Sequence, residues 1–143
     1  MEQILAFAGN HPFMSILWVV LLIALIVTSL QSATSGVKQL TPQQATFAVN
    51  REDGVFVDIR SQDQFRKGHI ADSLNITAER IRKNDLQALE KHKSAPIVLV
   101  CNTGMTAKGV AGQLSKAGFE QVSVLQGGVN AWQGASFPLV KKK

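Results

Sequence analysis

Residues 96–117 read PIVLVCNTGMTAKGVAGQLSKA, and this stretch decides the fold. Its first five residues form a continuous apolar run, which is typical of a strand buried on both faces of a parallel sheet. The run ends at Cys101, the only cysteine of the chain, and a short loop then leads into a helix predicted over 108–117. This order predicts an α/β fold with Cys101 at the carboxyl end of a strand, where such sheets bind ligands.

The flanking residues alternate between strand and helix signals. We predict further strands over 37–40, 55–59, 74–76 and 122–125. We predict further helices over 42–50, from about residue 62, over 78–91, and in a short segment that follows Gly127-Gly128 and holds Trp132. Thr41-Pro42 supports the first helix, because Thr is a favoured N-cap and Pro fits the first helical position. The alternation predicts a parallel sheet flanked by helices.

The N-terminal part has a different composition. Between Glu2 and Lys38 there is no Asp, Glu, Lys or Arg, and residues 13–30 (FMSILWVVLLIALIVTSL) are mostly Leu, Ile and Val. As a helix this run would cover about 27 Å, close to the roughly 30 Å hydrocarbon core of a bilayer. We therefore predict a transmembrane helix at 13–30 after a short flank at 1–12. The alternatives are a buried helix and a cleaved signal peptide, which the base-free N-terminus and the mediocre site Ala33-Thr34-Ser35 disfavour.

The predicted domains follow from this division. A short polar linker occupies 31–37, the soluble domain 38–137 and a basic tail 138–143. Basic residues appear only after the span, beginning with Lys38 and Arg51, so the positive-inside rule predicts a single-pass protein of the inner cell membrane. Its N-terminus would lie outside and its large domain in the cytoplasm. A lone thiol also suits a reducing compartment.

Several motifs accompany the cysteine segment in a fixed order. They are Asp58-Ile59-Arg60, Gln64-Phe65, Gly68-His69-Ile70, Ser73, Asn75-Ile76, Cys101-x-x-Gly104 and Gly127-Gly128-x-x-x-Trp132. In this order and spacing they resemble a single-domain rhodanese (sulfurtransferase) module, over roughly residues 38–137. The resemblance implies a rhodanese-like three-layer α/β/α sandwich with a five-stranded, mainly parallel sheet and the cysteine loop as active site.

The resemblance also implies a chemistry. Cys101 would be the catalytic nucleophile, taking a sulfur atom from a small donor as a persulfide and passing it to an external thiol acceptor. Loop amides can stabilise the anionic sulfur. The substrate- or anion-binding loop would be Asn102, Thr103, Gly104, Met105, Thr106 and Ala107. Arg60 and Lys108 are candidate supporting cations.

The loop departs from the common family pattern. Members often carry Arg after the cysteine and again later in the loop, and those positions here hold Asn102 and Thr106. The departure weakens the case for thiosulfate as donor more than the case for persulfide chemistry. A related cysteine phosphatase would need Arg at the position of Ala107 and is disfavoured. An inert buried thiol at Cys101 is the remaining alternative.

Other residues are interpreted as structural. Asp58 and Arg60 end a strand and would fix neighbouring loops, although Arg60 keeps a minor claim as a cation at the site. His69 resembles a general base, but a thiolate nucleophile needs none. No metal or organic cofactor is expected, since the one cysteine and the three histidines, His11, His69 and His92, are scattered.

The charge balance bears on partners. The chain carries a net charge of +5 at neutral pH, and Lys141-Lys142-Lys143 is its sharpest cluster. This cluster would either contact anionic lipid or be a solvated tail. Nucleic acid is not expected, because no aromatic residues are interleaved with the basic ones.

Two functions follow from different classes. One is a membrane-anchored sulfurtransferase. The other is a catalytically weak or inactive rhodanese scaffold that acts as an interaction or assembly module for other membrane proteins.

Overall fold

The computed structural model describes residues 1–34 and 36–142. Ser35, in the predicted linker, and Lys143, at the end of the predicted tail, lie outside the described residues. The chain separates into an N-terminal unit up to Gly36 and a larger unit from Val37 onward.

The N-terminal unit consists of two helices, α1 (Glu2–Asn10) and α2 (Pro12–Thr34). Within the described residues, α2 is the one helix long and apolar enough to cross a membrane, over Pro12–Ser29. It contains the predicted span at 13–30. It also runs four residues into the predicted linker, and most of the predicted flank at 1–12 is helical as α1.

The larger unit alternates strands and helices around one parallel sheet. In chain order they are β1 (Lys38–Leu40), α3 (Pro42–Arg51), β2 (Val55–Asp58), α4 (Gln62–Lys67), β3 (Leu74–Asn75), α5 (Ala78–Arg82), a 3₁₀ helix (Gln87–His92), β4 (Ile97–Val100), α6 (Met105–Lys116), β5 (Val122–Leu125) and α7 (Gly128–Gly134). The five strands lie in the order β1-β5-β4-β2-β3, and every neighbouring pair is parallel. This confirms the predicted α/β class with a five-stranded parallel sheet.

The central strand β4 is buried on both faces, as its apolar run predicts. Ile97 and Leu99 belong to a core cluster that α5 and α6 cover, through residues such as Ile81 and Leu114. Val98 belongs to a second cluster on the other face, with residues of α3 and α7. Successive strand residues therefore enter opposite layers, which produces the three-layer sandwich.

The capping box at Thr41 is present. The Thr41 hydroxyl accepts from the backbone N–H of Gln44, and the Gln44 side chain accepts from the N–H of Thr41. Two of the unpartnered amides at the start of α3 are thereby satisfied.

Two predicted helices differ from the structure. The prediction of one helix over 78–91 was wrong. Helix α5 ends at Arg82, and the chain resumes as a 3₁₀ helix at Gln87. Between them, Asn84 has a φ of 60°. A residue in the left-handed region cannot continue a right-handed helix. Conversely, the helix expected from 108 begins at Met105, because Gly104 takes a φ of 92° and serves as its N-cap.

Candidate active site around Cys101

Cys101 directly follows β4 at the carboxyl edge of the sheet. The neighbouring strand β2 continues beside it, with the Ile59 N–H donating to the Val100 carbonyl at 2.9 Å. The Cys101 side chain is 5% exposed, and the backbone N–H of Gly104 donates to its sulfur at 2.9 Å. The sulfur therefore accepts a hydrogen bond from the backbone of its own loop.

Helix α6 begins immediately after this hydrogen bond. The amides of Met105, Thr106 and Ala107 form its first turn and have no intrahelical acceptors. The positive end of the helix dipole adds to their effect. The start of α6, directly after the amide that donates to the sulfur, therefore offers backbone N–H groups without intrahelical acceptors, an arrangement suited to an anion.

The predicted loop residues fall into two groups. Asn102, Thr103, Met105 and Thr106 are exposed, and Met105 is 77% exposed. Gly104 is buried, and the Ala107 methyl is fully buried in the core beneath α6. Ala107 can therefore contribute to substrate binding only through its backbone, because its side chain is buried.

A second turn holds the cysteine loop in place. The N–H of Val129 donates to the Cys101 carbonyl at 2.8 Å, and the N–H of Asn130 donates to the Asn102 carbonyl at 3.2 Å. Both donors belong to the first turn of α7, which follows β5 as α6 follows β4. Backbone hydrogen bonds thus join the loop that follows β4 to the start of the helix that follows β5.

Glycine makes this contact possible. A Cβ on Gly128 would overlap the Cys101 carbonyl oxygen and lie 2.6 Å from the Asn102 carbonyl carbon. Gly128 also has a φ of 60°, in the left-handed region. Sequence reasoning noted Gly127-Gly128 as a motif but missed its contact with the cysteine loop. Paired glycines after a strand were the available signal.

Arg60 has acceptors for its guanidinium within the protein. Its Nη2 lies 2.6 Å from Asp58 Oδ2 and donates to the Gly68 carbonyl at 2.7 Å, while Nε donates to both carboxylate oxygens. The two side chains are 8% and 1% exposed. Asn75 donates to the carbonyls of Asp58 and Arg60. This network joins the loop after β2 to Gly68 at the end of α4 and to β3, in agreement with the structural interpretation.

His69 is likewise held in a structural setting. Its ring stacks on Phe65 with centroids 3.8 Å apart, and Nδ1 donates to the Phe65 carbonyl at 2.7 Å. Lys108 is exposed on α6. Of the two predicted supporting cations, Arg60 is therefore engaged with Asp58 and Gly68, whereas Lys108 is accessible to solvent.

Residues 41–135 match the sequence model of the Rhodanese-like domain. The chain belongs to the rhodanese-like family. It is 48% identical over all 143 residues, and over the full length of the relative, to the uncharacterized protein YibN of Escherichia coli. It is 34% identical over 98 residues, 68% of this chain and 90% of the relative, to the thiosulfate sulfurtransferase GlpE of Pseudoalteromonas translucida.

A solved structure shows the same fold. The rhodanese-related protein of Thermoplasma volcanium superposes with a TM-score of 0.65 at 20% identity. The match covers 73% of this chain and 99% of that protein. The rhodanese resemblance inferred from the motifs is thereby confirmed.

We expect Gly128→Ala to displace the cysteine loop, since its methyl group has no room beside the Cys101 carbonyl. Strain at a left-handed residue and overpacking together should lower the free energy of unfolding by about 2–4 kcal/mol. Thermal unfolding of the detergent-solubilised chain, followed by circular dichroism, measures the loss.

Gly134→Ala is the matched control. Gly134 lies in the same helix, and a Cβ there would meet no atom within 4 Å. Its stability should remain within about 1 kcal/mol of the natural chain. Equal stabilities for the two variants would contradict the steric role of Gly128.

Proposed function

We propose that this rhodanese-like protein is a membrane-anchored sulfurtransferase that carries a persulfide on Cys101. The hydrogen bond from Gly104 to the Cys101 sulfur, at the N-terminus of α6, is the observation that supports this most directly. A relative with 34% identity named as a thiosulfate sulfurtransferase supports the same class of reaction.

The reaction has two balanced steps. The Cys101 thiolate attacks the outer sulfur of a donor R–S–SH, forming a new S–S bond. The donor's own S–S bond breaks, and R–S⁻ leaves with the bonding electron pair. An acceptor thiolate then attacks the outer sulfur of the Cys101 persulfide and regenerates the Cys101 thiolate. Since Cys101 is the only cysteine in the sequence, the acceptor thiol must belong to another molecule.

The side chains around the loop favour a donor with little negative charge. Asn102, Thr103, Met105 and Thr106 are exposed and uncharged, and Arg60 is engaged with Asp58. A thiosulfate dianion would be bound by backbone amides and neutral side chains, without the charge-assisted hydrogen bonds that a guanidinium in the loop supplies. A persulfide on a small thiol or on a protein requires less positive charge at the rim of the site.

The anchor is the second part of the proposal. Helix α2 is apolar across Pro12–Ser29, and its length suits a bilayer. The positive-inside rule supports an external N-terminus and a cytoplasmic rhodanese domain. We assign the sulfur transfer to the larger unit, which begins at Val37 and contains the predicted domain at 38–137.

Incubation of the purified chain with a persulfide donor should add one sulfur atom to its intact mass, because Cys101 accepts the transferred sulfur. The adduct should disappear on adding an excess of acceptor thiol. Cys101→Ser removes the attacking thiolate, so it should show no adduct and no turnover. Intact-mass spectrometry measures the uptake of sulfur by Cys101. The amount of persulfide formed on the acceptor thiol measures the transfer step.

A chain that gains no sulfur from either a persulfide or thiosulfate would overturn the enzymatic assignment and favour the scaffold alternative. An adduct that persists in Cys101→Ser would place the chemistry at another residue.

Replacing Thr106 by Arg should improve the use of thiosulfate. Thr106 is exposed in the first turn of α6, and a guanidinium there would restore a charged partner for the sulfonate. A hydrogen bond to a charged group predicts a decrease in the KM for thiosulfate of about tenfold or more. Steady-state kinetics with thiosulfate and an acceptor thiol provide the measurement.

Ser115→Arg adds the same charge to an exposed position near the other end of α6 and is the matched control. Its KM should match that of the natural chain. A natural chain that already uses thiosulfate as well as Thr106→Arg would show that the backbone amides suffice.

Single cysteines in a Cys101→Ser background should report the orientation, because a membrane-impermeant maleimide reaches only the external side of intact cells. Gln3→Cys and Ser94→Cys place exposed thiols in the two units of the chain. We expect Gln3→Cys to be labelled in intact cells and Ser94→Cys only after lysis.

The reverse pattern would overturn the orientation. Release of the chain from membranes at alkaline pH would contradict the anchor itself. Labelling of both variants after denaturation controls for buried thiols.

A further inference from the structure

The C-terminal segment is attached to the domain. Trp132 Nε1 donates to the Pro138 carbonyl at 3.0 Å, and the Phe137 and Trp132 ring centroids are 4.7 Å apart. Leu139 packs against the second core cluster. The segment predicted as a basic tail at 138–143 therefore has a fixed path, at least as far as Leu139.

Backbone pairing continues that path toward α4. Val140 and His69 form an antiparallel bridge, with N–H to carbonyl distances of 2.9 and 2.8 Å in the two directions. The Lys142 N–H then donates to the Arg66 carbonyl at 3.3 Å. Residues 140–142 consequently run beside the end of α4, held by one isolated antiparallel bridge and one further backbone hydrogen bond.

This pairing brings two basic segments side by side, residues 141–142 and the end of α4. We define the basic patch as the four exposed cationic residues that it brings together: Arg66, Lys67, Lys141 and Lys142. Asp63 lies one turn before Lys67 on α4 and can offset one of these charges. The ion pairs found within the described residues involve other positions, so the patch keeps a net charge of about +3.

The positive charges of the basic patch repel one another in the isolated domain. An anionic surface beside the patch would offset this repulsion. Phe65, the aromatic residue within α4, is buried beneath the His69 ring and is not available for stacking on a base. The patch therefore lacks the aromatic platforms typical of single-stranded nucleic-acid sites. Its charge without exposed aromatic groups suits lipid phosphates.

We propose that the basic patch docks the rhodanese domain onto an anionic bilayer surface. This inference rests on the membrane anchor of the proposed function, since α2 in a bilayer would confine the domain to the neighbourhood of lipid headgroups. Each basic residue near an anionic surface contributes to binding, and the effect decreases within a Debye length. The proposal does not depend on the chemistry of Cys101.

Energy transfer in nanodiscs tests the docking in the full chain. A donor dye on Gln62→Cys, in a Cys101→Ser background, lies one helical turn before Arg66, and an acceptor is carried on lipid headgroups. We expect higher transfer in phosphatidylcholine–phosphatidylglycerol discs than in pure phosphatidylcholine discs. High salt should abolish the difference.

The patch variant replaces Arg66, Lys67, Lys141 and Lys142 by Gln and should lose the lipid dependence, with a decrease in docking of roughly fivefold per charge removed. The matched control replaces four other residues by Gln, namely Arg82, Lys91, Lys93 and Lys116, which are also one Arg and three Lys at exposed positions. Circular dichroism verifies that both variants fold. The control should behave as the natural chain.

Equal transfer in both lipids, with the chain inserted in the discs, would overturn the docking proposal while leaving the anchor intact. Equal loss in both variants would also overturn it, because net charge alone would then explain the effect. A chain that fails to insert would contradict the anchor. Flotation with preformed anionic and neutral vesicles would then test the patch, and equal flotation would reject it.

Discussion

The contact between the cysteine loop and the start of α7 is the constraint on which the site depends. Parallel strands β4 and β5 end side by side, and the chain must turn into a helix after each of them. The hydrogen bonds from Val129 and Asn130 to the carbonyls of Cys101 and Asn102 satisfy both turns at once. They require the backbone at position 128 to approach the cysteine loop more closely than a Cβ atom permits. Gly128 therefore determines the position of the loop that carries Cys101.

That arrangement leaves the backbone to provide the electrostatics of the site. The Cys101 sulfur accepts a hydrogen bond from the backbone amide of Gly104, the residue that precedes the first turn of α6, while the exposed loop side chains carry no charge. Such amides stabilise one negative charge on sulfur well, because the thiolate and the persulfide keep that charge near the same place. A dianion spreads charge farther from the helix axis, where cationic side chains would be needed.

The sequence predicted much of this arrangement because its signals are local. The apolar run before Cys101 identified the central strand, and Thr41-Pro42 identified the start of α3. Helical periodicity did not reveal the break after α5, where Asn84 has a left-handed backbone conformation. Ala107 was expected in the loop, whereas Gly104 starts the helix three residues earlier than predicted. The pairing of Val140 with His69 joins residues far apart in sequence, and no local pattern indicates it.

The pairing of Val140 with His69 also fixes the position of Lys141 and Lys142. A free lysine tail would sample many positions and lose conformational entropy on meeting a membrane. Here the Trp132–Pro138 hydrogen bond and the bridge at Val140 have already fixed the backbone beside α4. The ordering cost of this backbone is met during folding, so the proposed docking would not have to supply it again. Residues 137–140 therefore connect the basic patch to α7, the helix whose first turn holds the cysteine loop.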